Sequence, residues 1–247
     1  MSSEFVTFAA IGALAQLIDG SLGMAFGVAS AAMLLSLGLP PAAVSASVHY
    51  AETFTCGASG ISHLVAGNVR RKLFFSLMIP GVIGAVLGAY LVSHVPATWM
   101  RLALTPYLLG MGVFLLLRAH RNPGHSDEVL AGTRPLGLVA GFADAVAGGG
   151  WSALTVTSLV ARGNTPRLVI GTTHLAKCVV SASASITFLI HVGASHGVAV
   201  LGLILGGALA SPFSALFAKV MPARAATLMA AIAVLGLGLS NVVKAFQ

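Results

Sequence analysis

Long apolar stretches alternate with short polar ones along the whole chain, and this pattern predicts the secondary structure. An apolar run of about 20 residues is long enough for a helix to cross about 30 Å of hydrocarbon. Two other apolar segments, residues 5–37 and 135–161, are broken near their middles by an aspartate and glycines. The uninterrupted runs, each a predicted transmembrane helix, are residues 43–66, 73–93, 99–118, 168–190, 198–218 and 224–243.

The two broken segments belong to an internal duplication. Residues 15–66 recur at residues 140–191 with a constant offset of 125 positions and without a gap. Self-similarity at a fixed spacing marks a repeated structural unit, so the duplication has to be explained before any single residue. The matched pairs include Asp19 and Asp144, Gly23 and Gly148, Gly38 and Gly163, Pro41 and Pro166, and His49 and His174.

Each broken segment is either one kinked span or a re-entrant hairpin, and the loop charges favour the hairpin. Lys and Arg accumulate in cytoplasmic loops. With two hairpins the basic loops all lie inside, whereas the loops at 38–42 and 191–197, which contain no Lys or Arg, lie outside. A hairpin plus three spans is an odd number of crossings, so we expect inverted repeats. We place the first repeat at 1–118, a cytoplasmic linker at 119–134 and the second repeat at 135–247.

The composition excludes a soluble globular domain. The chain is 57% hydrophobic and only 8% charged, with a mean hydropathy of +0.96, and would expose far too much apolar surface to water. The net charge of +7 comes from loops beside the spans, which argues against nucleic acid and for the lipid bilayer as partner. We therefore predict an all-α integral membrane protein with two inverted repeats, each a re-entrant or broken helical hairpin plus three transmembrane helices.

Three of the chain's six acidic residues and one lysine lie deep inside the predicted membrane segments. Charged groups there cost about 2.5 kcal/mol or more, so function is the default hypothesis. Glu52 and Lys177 match at the 125-residue offset, within roughly 5 Å of the midplane. They form either a buried ion pair that only joins the halves, or a gated pair in which Lys177 meets an anion while Glu52 takes a proton. Asp19 and Asp144 are predicted to cap the second half-helices, with proton carriage as the alternative. The candidate ion-coupling residues are Asp19, Glu52 and Asp144.

The hairpin tips also predict an anion site, because the N-terminus of a half-helix offers free N–H groups and a partial positive charge. His49 and His174 either line the pathway, hydrogen-bond the hairpins or are satisfied core residues. Trp151 is a packing aromatic near the tip or lines the pore. The candidate substrate-binding residues are Gly20, Ser21, Gly23, His49, Gly148, Gly149, Gly150, Trp151, Ser152, His174 and Lys177.

A metal site is the main competing interpretation. His49, Glu52, Cys56 and His63 follow one helical face and in principle could bind a metal ion. The second repeat supplies no matching set, since it has Ser and Phe where the first has Cys56 and His63. We therefore predict no metal and no cofactor. An intramembrane metal-handling protein or enzyme that uses these four residues, and a passive anion channel, remain the alternatives.

Two pairs of motifs carry a family resemblance over essentially the whole chain. The first repeat contains DGSLGMAFG and SASVHYAETF, and the second contains FADAVAGGGWSALTVTSLVARG and GTTHLAKCV. These segments resemble the TauE/SafE sulfite exporter family. The resemblance implies a multi-pass carrier in the bacterial inner membrane, not an enzyme, for sulfite, sulfonates or related organic acids. We predict a secondary transporter of a small anion that works by alternating access around the hairpin tips. Proton coupling and a homodimer are further options.

Overall fold

The computed structural model describes residues 3–22, 26–118, 131–193 and 197–220, together with a few isolated positions beyond them. All regular secondary structure among these residues is α-helical. The helices are α1 (Ser3–Leu22), α2 (Phe26–Ser36), α3 (Pro41–Val65), α4 (Arg71–His94), α5 (Ala97–Arg118), α6 (Thr133–Ala147), α7 (Trp151–Ala161), α8 (Pro166–His191) and α9 (Gly197–Val220).

The helix boundaries reproduce the duplication seen in the sequence. The bounds of α2 and α7 differ by the 125-residue offset at both ends, and α3 and α8 begin at the same offset. The bounds of α4 and α9 differ by one residue more, as the later sequence match requires. Each broken apolar segment forms two helices, α1 with α2 and α6 with α7. The predicted span at 224–243 and the linker up to residue 130 lie largely outside the described residues.

Glycine and proline punctuate both repeats at matched positions. After α2, Gly38 adopts a φ of +89°, and after α7, Gly163 adopts a φ of +91°. This left-handed conformation ends a helix without steric cost only at glycine. Pro41 and Pro166 then open the next helices, at the first helical position, where the absent N–H costs nothing. The same local chemistry therefore produces the same turn twice.

The repeats are interleaved rather than side by side. Helix α1 of the first repeat packs against α9 of the second, and the equivalent pair, α6 and α4, packs in the same way. Likewise α4 contacts α8 and α9 contacts α3. These two kinds of inter-repeat contact thus each occur twice with the halves exchanged, as an approximate twofold relation between the repeats would require.

Helices α3 and α8, which are equivalent in the two repeats, pack against each other in antiparallel directions. The ring of His49, early in α3, lies 5.8 Å from the ring of Phe188, late in α8. The ring of His63, late in α3, lies 6.2 Å from that of His174, early in α8. The 125-residue offset relates His49 to His174 and Phe188 to His63, so these two contacts are equivalent. A twofold relation between the repeats would therefore pass through the α3–α8 interface, perpendicular to the helices.

Helix length and composition agree with a membrane protein. Among the described residues, α4 and α8 are long and apolar enough to cross a membrane. Helix α3 is almost as long as α8 but buries Ser45, Ser47, His49 and Glu52 along its length. The all-helical architecture supports the predicted fold class, and the membrane crossing of the other predicted spans stays a prediction.

Candidate functional site

The second helix of each hairpin begins at a carboxylate provided by the first. The N–H of Phe26, the first residue of α2, donates to Asp19 Oδ1 at 3.0 Å. The N–H of Trp151, the first residue of α7, donates to Asp144 Oδ1 at 2.8 Å. A carboxylate that accepts a hydrogen bond from a helix N-terminus is a stabilising cap. Both aspartates therefore make the capping contact that the sequence predicts, seven residues ahead of the helix.

The predicted pair of opposite charges is formed between the repeats. Lys177 Nζ lies 2.5 Å from Glu52 Oε1, and both side chains are almost completely buried. One charge comes from α3 and the other from the equivalent position of α8. Burying two ions costs several kcal/mol each unless their contact is close, so this pair depends on its short separation. The pair lies at the α3–α8 interface, near the twofold relation.

Asp144 extends this pair into a larger charged cluster. Its Oδ1 lies 3.7 Å from Lys177 Nζ, and its Oδ2 lies 3.3 Å from Nε2 of His49. Lys177 is therefore between two carboxylates, Glu52 from the first repeat and Asp144 from the tip of the second hairpin. We call these four residues, His49, Glu52, Asp144 and Lys177, the central cluster. The sequence predicted each member as a candidate but not that Asp144 joins the Glu52–Lys177 pair.

The orientation of His49 determines where its protons are. Its Nδ1 lies 2.8 Å from the carbonyl oxygen of Ser45. A carbonyl only accepts hydrogen bonds, so Nδ1 carries a proton and Nε2 is the nitrogen that faces Asp144. A neutral imidazole would then present a lone pair to a carboxylate. The contact is attractive only when a proton is held on Nε2 or on Asp144.

A count of the charges also indicates that the central cluster holds one additional proton. Glu52 and Asp144 contribute two negative charges and Lys177 one positive charge, so one more proton makes the central cluster neutral. Buried charges that lack compensation are very costly. Within the described structure, Glu52 Oε2 is buried without a hydrogen-bond partner, and His49 Nε2 and Asp144 Oδ2 face only each other. The central cluster therefore has spare acceptor capacity close to its charges and is suited to bind and release a proton.

The glycines of the second hairpin allow the hairpins to meet at the central cluster. A Cβ on Gly149 would overlap the backbone of Gly27 and Val28 at the start of α2. A Cβ on Gly27 would lie 2.6 Å from Glu52 Oε1 and 3.0 Å from the Cα of Gly149. Any side chain at either position would separate the hairpin tips or displace Glu52. These glycines bring the two hairpins together beside the charged pair.

Two residues that the sequence analysis missed support the second hairpin. The hydroxyl of Tyr107, from α5, donates to the carbonyl oxygen of Gly149 at 2.7 Å. The hydroxyl of Ser45 donates to the carbonyl oxygen of Ala145 in α6. A tyrosine in the middle of an apolar span needs a hydrogen-bond partner, and this requirement was the signal that could have identified Tyr107.

Trp151 and Ser152 lie at the buried start of α7. The indole of Trp151 is fully buried, donates from Nε1 to the carbonyl oxygen of Thr173 at 3.1 Å, and packs against Gly81 of α4. Trp151 therefore anchors α7 to α8 and α4, which agrees with the packing alternative. Ser152 is buried beside it. Gly148 and Gly150 both have positive φ and form the turn between α6 and α7.

The remaining predicted site residues lie elsewhere or cannot be placed. His174 contacts Ser59 Oγ through Nδ1 at 2.8 Å, towards the far end of α3. Gly23 lies outside the described residues. Gly20 and Ser21 belong to α1, but the surroundings of both residues are likewise outside the described part.

The four-residue metal set considered from the sequence is not brought together. His63 lies fourteen positions after His49 in one continuous helix, which separates them by about 21 Å. Ligand atoms of His49, Glu52 and Asp144 do come within 4.8 Å of one another. The ammonium group of Lys177, however, already contacts both carboxylates and would repel a divalent cation. The geometry therefore fits a proton site better than a metal site.

Comparisons with known proteins identify the family. The family described as "Sulfite exporter TauE/SafE" matches residues 8–241. The chain is 42% identical over 221 residues to the "Probable membrane transporter protein YtnM" of Bacillus subtilis, covering 86% of this chain and 74% of the relative. It is 27% identical over 114 residues to the "Sulfite exporter TauE/SafE family protein 3" of Arabidopsis thaliana, covering 45% of this chain and 24% of the relative. No solved structure gives a significant match.

The family match extends over most of the chain and includes both broken apolar segments and the central cluster. The family description and the name of the Bacillus relative are both those of membrane transporters, so the protein is a transporter and not an enzyme. The chain therefore belongs to the TauE/SafE family of sulfite exporters and is a membrane transporter.

Proposed function

We propose that the protein is a secondary transporter of a small anion, such as sulfite, an organosulfonate or an organic acid, coupled to protons. The observation that carries the proposal is the buried ammonium of Lys177, which is held between carboxylates from both repeats, close to where the start of α2 meets the tip of the second hairpin. Sulfite is the first substrate to test because the family description and the Arabidopsis relative's name both contain it.

Lys177 is the proposed anion-binding group. In the structure its ammonium contacts Glu52 Oε1, and an incoming anion would take the place of that carboxylate. The first N–H of α7 is already occupied by Asp144, so the anion would approach from the Lys177 side rather than lie directly on the helix terminus. The backbone of Gly27 and Val28 already packs against Gly149, so an anion at Lys177 would also require the start of α2 and the second hairpin to move apart.

The displaced carboxylate of Glu52 gives a physical reason for coupling. A buried carboxylate that loses its cation partner is costly unless it takes up a proton. His49 lies on the same helix one turn away and faces Asp144, so it is a nearby proton donor and acceptor. Anion binding at Lys177 and proton binding at Glu52 would then occur together, which is the basis of symport.

Alternating access around inverted repeats would provide the conformational change. The antiparallel packing of α3 and α8, and the exchange of halves in the helix contacts, support repeats that face opposite sides of the membrane. Inverted repeats with interrupted helices at the midplane recur in secondary transporters. We place the protein, as a multi-pass chain, in the bacterial inner membrane, with the ends of α4 and α8 near Arg71 and Arg167 in the cytoplasm.

The proposed topology makes a direct prediction for a matched pair of positions. Leu37 and Arg162 are equivalent in the repeats, and both are exposed next to the ends of α2 and α7. In a chain without Cys56 and Cys178, Leu37→Cys should react with a membrane-impermeant maleimide from outside, and Arg162→Cys only after permeabilisation. Labelling of both from the same side would reject inverted repeats.

The function is tested by uptake of radiolabelled sulfite into proteoliposomes, with and without an imposed pH gradient. We expect saturable uptake that the gradient drives above equilibrium, with competition by unlabelled sulfonates. Competition by a different anion with no sulfite uptake would retain the mechanism and replace the substrate. Flux that neither saturates nor responds to pH would favour the passive channel, and no flux of any anion from folded protein would reject anion transport.

A further inference from the structure

Two histidines lie close together at the C-terminal ends of α4 and α8, far from the central cluster. His94 is the last residue of α4 and His191 the last residue of α8, and both side chains are exposed. Their ring centroids are 4.8 Å apart with an interplanar angle of 68°. Tyr90, one turn before His94, has its ring 4.2 Å from that of His94 and 5.3 Å from that of His191.

The hydrogen bonding of His94 leaves one ring nitrogen available to a ligand. Its Nδ1 lies 2.8 Å from the carbonyl oxygen of Tyr90, which can only accept, so Nδ1 carries the proton. The lone pair of the neutral ring is therefore on Nε2. Histidines that bind metals usually donate their other ring N–H to a carbonyl or carboxylate, which fixes the ring orientation. His94 meets this requirement through its own backbone.

The two histidines come from different halves of the protein. Helix α4 belongs to the first repeat and α8 to the second, and the two run in parallel. At their other ends the N–H of Arg70 donates to Thr172 Oγ1 at 2.9 Å. The histidines thus lie opposite the basic end of both helices, which is the outer face in the proposed topology. An ion bound by both would bridge the repeats at that face.

The histidine pair is not repeated in the sequence of the other half. At the positions equivalent to His94 and His191 the other repeat has Val220 and Ala66. The duplication therefore does not generate a second copy of the pair. Tyr90, which packs against both rings, gives a competing explanation in which the rings form only an aromatic contact.

We propose that His94 and His191 form a binding site for one divalent transition-metal ion, such as Cu²⁺, Ni²⁺ or Zn²⁺, with water in the remaining coordination positions. Imidazole nitrogen suits all three ions, and Cu²⁺ binds most tightly to a given nitrogen site. An ion held by two side chains exchanges readily with solvent. The site is accordingly suited to sensing the ion from outside rather than to retaining it as a structural component.

Direct binding tests the proposal without any transport assay. Tag-free protein in detergent is titrated with Cu²⁺ and then with Ni²⁺, and binding is followed by equilibrium dialysis and by electron paramagnetic resonance of Cu²⁺. We expect one saturable site with nitrogen ligands, and tighter binding of Cu²⁺ than of Ni²⁺. His94→Ala and His191→Ala should each weaken binding at least about tenfold, the lower end of what losing a supporting partner of a ligand costs.

Tyr90→Phe is the matched control, because it keeps the aromatic ring and the backbone carbonyl that orients His94 and removes only the hydroxyl. It should bind as the wild type does. Wild-type protein that binds no ion, or alanine variants that bind with unchanged affinity and spectrum, would overturn the proposal. Circular dichroism of each variant shows whether a loss of binding comes from unfolding.

A second measurement concerns the consequence for transport and rests on the proposed function. External Ni²⁺ should inhibit uptake by the wild type, and both alanine variants should resist it, because the ion joins helices from the two repeats. Since binding is measured separately, failure of the metal site and failure of anion transport give different results. Binding that is lost in both alanine variants, with equal inhibition of wild type and variants, would reject the bridging consequence.

Discussion

The two hairpins have the same architecture but different charged neighbours, and this contrast points to the second hairpin as the one next to the central cluster. Both place an aspartate seven residues before the helix that it caps, and both end at a glycine with positive φ. In the second repeat Asp144 also contacts Lys177, which follows later in the same repeat. In the first repeat the position equivalent to Lys177 is Glu52, a residue of opposite charge. The two repeats share a scaffold, and the opposite charges of Glu52 and Lys177 at equivalent positions make its centre asymmetric.

Because of this asymmetry, two equivalent positions carry opposite charges and can play different roles. Two carboxylates at positions 52 and 177 would repel each other across the twofold relation, and two lysines would do the same. A glutamate and a lysine attract, join the halves, and can exchange partners when an anion or a proton arrives. The predictions below test whether this exchange, or only the attraction, is needed.

The largest effect is expected from Lys177→Met. The substitution leaves Glu52 and Asp144 buried together without their cation, which costs about 3–5 kcal/mol when a buried pair is broken. We expect no measurable anion uptake and a lower melting temperature. Lys177→Arg, which keeps the charge, should retain more stability. Normal uptake by the Lys177→Met variant would remove this residue from the substrate site.

The next largest effect is expected from Asp144→Asn, and it distinguishes the second hairpin from the first. Asp144→Asn keeps a side-chain oxygen that can accept from Trp151 but loses the charge that faces Lys177 and His49. A charge-assisted contact is worth about 1.5–3 kcal/mol, so uptake should fall by about ten- to a hundredfold. Asp19→Asn is the matched variant and should lower uptake less. Equal losses would show that the two caps, rather than the central cluster, explain the effect of Asp144.

A smaller and more selective effect is expected from His49→Gln. The glutamine does not titrate, so the central cluster loses its exchangeable proton next to Asp144 while Lys177 keeps both carboxylates. Uptake driven by a pH gradient should fall more strongly than exchange of labelled for unlabelled anion across the same membrane. The two assays are run on the same vesicles. An unchanged response to the gradient would place the coupling proton elsewhere.

The smallest effect is expected from Tyr107→Phe. The variant removes the hydrogen bond from the hydroxyl to the carbonyl oxygen of Gly149 and leaves the ring in place. A hydrogen bond of this kind contributes about 0.5–1.5 kcal/mol, so the melting temperature should fall slightly. Tyr90→Phe, at an exposed ring outside the hairpins, is the control and should not shift it. A null result would mean that the second hairpin does not depend on α5.

Much of the scaffold could be predicted from the sequence because local signals specify it. The breaks near Asp19 and Asp144, the turns at Gly38 and Gly163, and the helix starts at Pro41 and Pro166 follow from backbone chemistry alone. The duplication then relates one half to the other. These signals act over a few residues, so no tertiary information was needed to read them.

The rest depended on contacts between residues that are distant in the chain. Nothing in the sequence near Asp144 indicates that it lies beside Lys177, and Tyr107 contacts Gly149 from a helix of the other repeat. The packing of α1 against α9 and of α4 against α6 is likewise a property of the whole bundle. The duplication did indicate the Glu52–Lys177 pair, because a twofold relation brings matched positions on its axis together.

The central claim is that the Glu52–Lys177 pair exchanges partners during transport rather than only joining the repeats. The most direct test is sulfite uptake by the double variant Glu52→Gln, Lys177→Met, with melting temperatures measured beside it. Removing both charges should restore stability relative to Lys177→Met alone, because fewer unpaired charges are buried. We predict that this stable double variant binds and transports no anion. Uptake at the wild-type rate would contradict the claim and leave the pair as a structural link between the two repeats.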